Sequence, residues 1–481
     1  MDNKGLTKEQ VLKNSFWKFS EGIGVQVCQL VITIVLARLL TPHDYGLMAI
    51  IFVATNFMSL FVTSSVSSYL VYIKDIKKED FFTAGVCNMF VALCLVIILL
   101  LSAPYIAAFY DAPELTPLIR AMSVVVPFGA MSSLYNAYAI KFSMHKSLFY
   151  RNMISVPISG TLALVLAYLG MGIWALVCQQ IVYNALLAII IILTIKVKLE
   201  GKWRFDVSRL KTMWSYGIYT ILSTLVAFIS DSLSDLFIGK KINPVQLGYY
   251  NRGTMFPATL FNSVNNVISN VLFPAFASYN SDIALLKEKI RKTIRLLYSI
   301  VFPVLMGLIV CAPTIVDGLL TEKWNNSIPI IQIICLYFMM IPYLQTCSQV
   351  FLAVGDVKIR TLGEIIKLVL TIISLLLLIG YGIIGVAFAK VFVGLLMAIY
   401  TYCLLKNRIK YTFGELLSDL SKPAIASILM GIIISPFVYV NVNSLFILFV
   451  QVCLGICLYF MFSNFVRNNE LIEIIRRIVR R

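Results

Sequence analysis

The chain has 481 residues, 60% of them apolar and 13% charged, with a formal net charge of +17. Soluble domains carry charge on about a quarter of their residues, so this composition cannot clothe a soluble protein of this size. It excludes most soluble enzymes, nucleic-acid binders and disordered scaffolds. The apolar runs are continuous and about 20 residues long, enough to cross the hydrocarbon of a bilayer as helices. A β-barrel would instead alternate over about 10 residues per strand. The fold class expected is an all-α polytopic membrane protein.

The runs predict about 14 transmembrane helices, at 15–39, 45–71, 83–103, 117–140, 153–169, 174–195, 213–238, 248–272, 292–313, 327–350, 361–379, 384–405, 423–440 and 445–465. Basic residues sort by loop. Thirty lie in the two tails and the even-numbered loops, and three (Lys240, Lys241 and Lys323) in the odd-numbered ones. This positive-inside bias predicts that both termini are cytoplasmic. The net charge is then explained by topology and anionic membrane lipids, with no nucleic-acid partner. Trp17, Trp174, Trp214 and Trp324 fall near span ends, as interfacial anchors do. Leu471 to Arg481 read equally as a short helix on the inner surface or as a frayed tail.

An internal repeat is visible. Thr41-Pro42-His43-Asp44-Tyr45-Gly46 in the first loop matches Asn243-Pro244-Val245-Gln246-Leu247-Gly248 in the seventh. Phe16-Trp17-Lys18-Phe19 resembles Met213-Trp214-Ser215-Tyr216, and Gly170-Met171-Gly172 resembles Gly380-Tyr381-Gly382. The markers predict two parallel six-helix repeats, an arrangement found in some secondary transporters with the substrate site between the halves. The predicted domains are an N-terminal lobe over 1–205, a C-terminal lobe over 206–410, and two further helices with a basic tail over 411–481.

Polar groups within the spans are the candidate functional residues. Asn56, Ser59, Thr63 and Ser67 share one face of the second span; Asn262, Asn266 and Asn270 share one face of the eighth. The repeat offset places the two stripes at equivalent positions. Such stripes suit a wet cleft taking a hydroxyl-rich substrate, or hydrogen bonding between helices. Lys18, Arg38, Arg120, Arg252, Arg295, Lys367 and Lys390 lie within spans; Arg38, Arg120 and Arg295 are near enough to the ends to snorkel. The acids are Glu21, Asp231, Asp235 and Glu364. Asp231 and Asp235, four apart, resist joint ionisation and so read as an ion-coupling site; Asp235 is equally placed to pair with Arg252, and Glu364 with Lys367. The excess of cations favours an anionic, phosphate-bearing substrate.

No metal or cofactor is expected. The cysteines fall in apolar runs and read as packing residues, and the two histidines, His43 and His145, are far apart. Gly380-Tyr381-Gly382-Ile383-Ile384-Gly385 matches G-x-G-x-x-G but follows a membrane span, outside any βαβ context, and no P-loop pattern occurs.

Several segments together carry a family resemblance: Phe16-Trp17 with Glu21, Val35 to Gly46, Phe109-Tyr110-Asp111-Ala112-Pro113-Glu114-Leu115, Gly172-Ile173-Trp174-Ala175-Leu176-Val177, Leu247-Gly248-Tyr249-Tyr250-Asn251-Arg252 and Glu322-Lys323-Trp324. From about residue 14 to 405 the chain resembles the polysaccharide-exporter, Wzx-type flippase family of the MATE/MOP superfamily, close to its colanic acid and teichuronic acid exporter branch. One departure is Gly22 after Glu21, where relatives often carry Arg; the nearby cation is Lys18.

The resemblance implies a MATE/MOP-like fold with alternating access in a bacterial cytoplasmic membrane. It implies an undecaprenyl-pyrophosphate-linked oligosaccharide as substrate, for lipopolysaccharide, capsule or exopolysaccharide synthesis, and an ion gradient as energy source. Lys18, Arg252, Lys367 and Lys390 are then the phosphate-binding candidates. Asn56, Ser59, Thr63, Asn262, Asn266 and Asn270 line the sugar path, and Asp231, Asp235 and Glu21 couple the ion. A polysaccharide polymerase and a chain-length regulator are the expected protein partners. The rival readings are a MATE-type drug/cation antiporter, which the cation excess disfavours, and a membrane polymerase or glycosyltransferase, which would need a larger exterior loop with acid–base residues.

Overall fold

A computed structural model describes residues 8–63, 69–71, 73, 75–267, 283–353, 357–440 and 442–466. The tail helix expected at 471–481 and the stripe residues Ser67 and Asn270 lie outside them. The described chain is helical. Its contacts divide it into two compact units between Lys240 and Lys241, one helix beyond the repeat boundary read at 205/206.

The first unit holds α1 (Lys8–Leu39), α2 (Pro42–Thr63), α3 (Lys78–Phe109), α4 (Leu115–Met122), α5 (Val125–Lys141), α6 (His145–Tyr168), α7 (Ile173–Thr194) and α8 (Val207–Lys241). α6 packs between α1 and α7, and α5 lies against α2, α3 and α7. The fourth span, read over 117–140, is one apolar stretch, Leu115–Lys141, with a tightened turn between α4 and α5. Pro127 lacks the N–H that would bond the Ser123 carbonyl, and that carbonyl accepts from the Val126 amide at 3.1 Å instead.

The second unit holds α9 (Pro244–Val267), α10 (Ile283–Ile315), α11 (Ile328–Ala353), α12 (Val357–Leu378), α13 (Gly382–Ile409), α14 (Phe413–Ile434) and α15 (Ser444–Phe465). α10 is its axis, contacting α11, α14 and α15; α11 and α12 flank α13. Prolines sit inside several of these helices, as membrane spans tolerate. One turn after two of them a hydroxyl bonds back to the proline's own carbonyl: Thr346 Oγ1 to Pro342 at 2.8 Å and Ser427 Oγ to Pro423 at 2.7 Å.

Among the described residues, ten helical stretches are long and apolar enough to cross a membrane. One of them, Thr361–Lys406, is 46 residues long. A crossing needs about 20, and the stretch turns at Gly382 (φ +70°), so it holds both spans read at 361–379 and 384–405. Gly172 (φ +54°) opens α7 in the same way. Both Gly-X-Gly segments are thus helix–helix turns. The apolar belt outside each unit, such as Phe90 at 67% exposure and Leu377 at 72%, is stable only against lipid. The protein is a multi-pass membrane protein.

Ion pairs in each unit lie at the ends of particular helices. In the first, buried Asp80 pairs with Arg209 and accepts from the Lys77 amide at 2.9 Å, joining the start of α3 to the start of α8. At the other end of the same helices Lys240 Nζ meets Asp111 Oδ2 at 2.9 Å. In the second unit Arg291 on α10 grips Asp419 on α14 with two bonds of 2.8 and 2.9 Å and reaches Glu415 at 3.1 Å. Lys287 meets Glu415 at 2.8 Å, and the Tyr411 hydroxyl donates to Asp419 at 2.9 Å. Burial, with the Asp419 carboxylate beside it, pushes the Tyr411 phenol above its usual range. A Tyr459 hydroxyl bond to the Ser299 carbonyl at 2.7 Å fixes α15 to α10. The two C-terminal helices are therefore built into the second unit.

Asp419 is 1% exposed and holds the centre of that cluster. Asp419→Asn should lower the stability of the nanodisc-embedded protein by about 1–3 kcal/mol, the partial exposure of Arg291 keeping the loss modest. Glu415→Gln should cost less. Equal thermal-midpoint shifts for the two variants would contradict the central place given to Asp419.

Candidate substrate-binding site

The strongest constellation in the second unit forms at the start of α9. Asn243 caps that helix, its Oδ1 accepting from the Gln246 amide at 2.8 Å, and Pro244 follows with its φ already suited to the first turn. Tyr250 and Arg252 come two turns later, 1% and 6% exposed. The backbone of α9 passes so close to α11 that a Cβ on Gly253 would stand 2.6 Å from Ile330. Ser327 Oγ bonds the Tyr249 carbonyl at 2.9 Å, pulling the short helix Glu322–Ser327 onto α9. Trp324, on that short helix, is wholly buried and meets Tyr249 edge-on at 6.1 Å.

These contacts seat cations on aromatic faces. The Arg252 guanidinium stands 5.9 Å from the Trp324 ring centre and donates from Nη1 to Met255 Sδ at 3.0 Å. The Lys390 ammonium, from α13, stands 5.6 Å from the Tyr250 ring centre. A π face attracts a cation without taking up its charge as a carboxylate does. Two segments of the family resemblance, Leu247–Arg252 and Glu322–Trp324, meet here in space. Trp324, read from sequence as an interfacial anchor, is an internal ring seat instead.

Lys367 and Glu364 lie half-buried on α12, with one Glu364 oxygen buried and outside any hydrogen bond. In the first unit Asn56 and Thr63 are exposed and Ser59 half-buried, with Thr63 Oγ1 bonded to the Ser59 carbonyl at 2.9 Å. This stripe faces out of the unit's own core. On α8, Asp231 is exposed and Asp235 half-buried. Burial and the Asp235 carboxylate together push the Tyr110 phenol, beyond the end of α3, up to about 12. Ser230 and Ser234 beside the two aspartates are buried with their hydroxyls outside any hydrogen bond. The side chains of Lys18, Glu21, Asn262 and Asn266, and the whole of Asn270, lie outside the described residues. Arg38 and Arg120 are exposed, and Arg295 is 3.8 Å from Asp419, so the structure ties Arg295 to the ionic cluster.

One buried cation escaped the sequence reading. Arg151, assigned to a loop, is 9% exposed in the second turn of α6 because that helix begins at His145, well before the apolar run. Ser155 and Ser159, each one turn further on, would have signalled the continuation. Among the described residues no group of three His, Cys, Asp or Glu is gathered to hold a metal ion.

Comparison with known proteins gives this site its setting. A family model described as polysaccharide biosynthesis protein matches residues 35–329. The chain belongs to that family. As a polysaccharide biosynthesis protein it is 22% identical to the teichuronic acid biosynthesis protein TuaB of Bacillus subtilis over 435 residues, 89% of each chain. It is also 22% identical to the succinoglycan biosynthesis transport protein ExoT of Rhizobium meliloti over 352 residues, covering 72% of this chain and 71% of that one. Among solved structures it is similar to the lipid II flippase MurJ in an inward closed conformation. The TM-score is 0.75, at 16% identity, covering 96% of this chain and all of the other. An inward-facing multidrug resistance MATE family transporter of the MOP superfamily follows at a TM-score of 0.55, 16% identical, covering 82% and 94%. At these identities the structural likeness is one of fold.

The close approach at Gly253 sets the position of Arg252. Gly253→Ala should destabilise the protein by about 1–3 kcal/mol through overpacking against Ile330. Pairing it with Ile330→Ala should recover part of the loss. A single variant as stable as the parent would mean that α9 and α11 have room to part.

Proposed function

We propose that this polysaccharide biosynthesis protein is a flippase. It moves an undecaprenyl-pyrophosphate-linked oligosaccharide from the inner to the outer leaflet of a bacterial cytoplasmic membrane, for surface polysaccharide assembly. The observation that carries the reading is the pair of cations, Arg252 and Lys390, seated on aromatic rings within a membrane-spanning unit. Family membership and the fold shared with MurJ support it. Pyrophosphate is doubly suited to such a site, because it offers several charge-assisted bonds to guanidinium and ammonium groups. The outward-facing hydroxyls and amide of α2 would meet the sugar, and Lys18, Lys367 and the asparagines Asn262, Asn266 and Asn270 complete the proposed path.

Topologically, the proposal is fourteen spans with both termini cytoplasmic: two six-helix repeats over 1–205 and 206–410, followed by the pair over 411–481. Equivalent helix starts at Pro42 and Pro244, and equivalent positive-φ turns at Gly172 and Gly382, support the repeat. Transport would proceed by alternating access coupled to an ion, with Asp231, Asp235 and Glu21 as its carriers. The buried hydroxyls of Ser230 and Ser234 lie beside those aspartates on the same helix. The reaction makes and breaks no covalent bond, so no enzymatic group and no cofactor is required. A polysaccharide polymerase and a chain-length regulator would act next on the delivered substrate.

Deletion of the gene should trap lipid-linked oligosaccharide in the inner leaflet and abolish the surface polymer, both restored by the wild-type chain. Drug efflux with normal surface polymer would favour the antiporter reading instead. In complementation, Arg252→Gln and Lys390→Gln should each reduce export about tenfold or more, the scale of a lost charge-assisted bond. Arg38→Gln, at an exposed position, should leave export unchanged. Full export by a Lys367→Gln/Lys390→Gln double variant would remove those lysines from the path.

A further inference from the structure

The segment between α7 and α8 is built as a strap. Residues 195–206 run along the start of α3 without regular secondary structure: side-chain burial alternates over 195–199, and the chain then bends at Glu200, Gly201 (φ +100°) and Trp203. Ile195, Val197 and Leu199 turn onto the apolar cluster of Phe81, Leu134, Tyr138 and Leu148, whereas Lys196, Lys198, Lys202 and Arg204 are exposed. The backbone is pinned at four places. The Lys198 amide donates to the Tyr138 hydroxyl at 3.2 Å, and the Lys78 amide to the Glu200 carbonyl at 2.8 Å. The Lys202 amide donates to Glu79 Oε1 at 2.8 Å, and the Asp206 amide to Thr83 Oγ1 at 3.0 Å. A segment pinned in this way presents its basic side chains as a fixed row.

Two further features define what the row faces. Trp203 is 53% exposed, with Phe205 at 39% and Val207 at 69% beside it. Its ring rests edge-on against Phe81 and Phe82 at 6.4 and 6.3 Å, with the Lys78 ammonium 6.0 Å from its centre. Phe82 lies in the second turn of α3, a membrane-crossing helix, so the indole sits at the height where that helix enters the bilayer. Trp and Phe there match the headgroup region, apolar on one side and wet on the other. Of the acids nearby, Asp80 is buried and binds Arg209, Asp206 also meets Arg209, and Glu79 holds the Lys202 amide. Asp75 and Glu200 are exposed, fewer than the exposed Lys196, Lys198, Lys202 and Arg204. The outward face is therefore net positive and aromatic.

We propose that this strap is a binding surface for anionic phospholipid headgroups, with Lys196, Lys198, Lys202 and Arg204 engaging the phosphates and Trp203 and Phe205 inserted at the interface. Lipid held there fixes the height of α3 and α8 in the membrane. The inference rests on the membrane-spanning nature of α3 and is independent of what the protein transports.

The test uses the full chain purified in detergent and titrated with phosphatidylglycerol or phosphatidylcholine, bound lipid being counted by native mass spectrometry. The wild type should retain phosphatidylglycerol preferentially, and less of it as salt rises. Lys196→Gln/Lys198→Gln/Lys202→Gln/Arg204→Gln should weaken that retention at least tenfold, whereas Lys406→Gln/Arg408→Gln, an exposed basic pair at the end of α13, should not. Equal losses in the two variants, or equal retention of the two lipids by the wild type, would overturn the proposal. So would undiminished lipid retention in the quadruple variant with export lost, which would point to a protein partner. Should the quadruple variant fail to fold, quenching by brominated phosphatidylglycerol compared between wild type and Trp203→Phe gives an independent reading. A quenched component present only in the wild type supports the surface; identical quenching overturns it.

Discussion

An ionised side chain in hydrocarbon must find an opposite charge, a π face or water, because lipid supplies none of them. The described bundles satisfy this in two distinct ways. At the helix starts, acids and bases meet directly: Asp80 with Arg209, and Asp419 with Arg291. Around α9, cations rest on rings: Arg252 on Trp324 and Lys390 on Tyr250. The first solution cancels charge and ties helices together. The second seats a cation on a ring that the helix crossing supplies.

The ion pairs also explain how the elements hold together where the hydrophobic effect cannot help. Lipid is as apolar as the helix faces, so bundles in a membrane depend on close packing and polar contacts. α8 is tied to the α3 end regions at both of its own ends, by Arg209 to Asp80 and by Lys240 to Asp111. These ties keep α8 with the first unit. α14 and α15 are tied to α10 by Asp419 and by the Tyr459 hydroxyl.

The polar stripe on α2 has a complementary meaning. Had Asn56 and Thr63 been glue within their bundle, they would be buried there; they are exposed on the surface of their unit. A sugar-bearing headgroup can use such groups, since each hydroxyl or amide both gives and accepts hydrogen bonds. The buried hydroxyls suit packing instead: Ser155, Ser159 and Thr55 bond back to carbonyls of their own helices.

Membrane insertion, the all-helical fold and the polysaccharide family were legible in the residue order, because hydrocarbon thickness imposes a local length on each apolar run. The turns at Gly172 and Gly382 were legible because backbone restriction acts over a few residues. The helix starts at Pro42 and Pro244, read as loop, and the early start of α6 were not, since a polar or proline-bearing first turn is decided by which neighbours satisfy it. The aromatic seats were likewise invisible. Trp324 and Arg252 lie far apart along the chain, and only the crossing of α9 and α11, closed over Gly253, brings the ring beneath the guanidinium. The sequence determined which charges enter the membrane. The tertiary structure decided which of them meet a carboxylate and which meet a ring, because that depends on what each charge faces at a distance of a few ångströms.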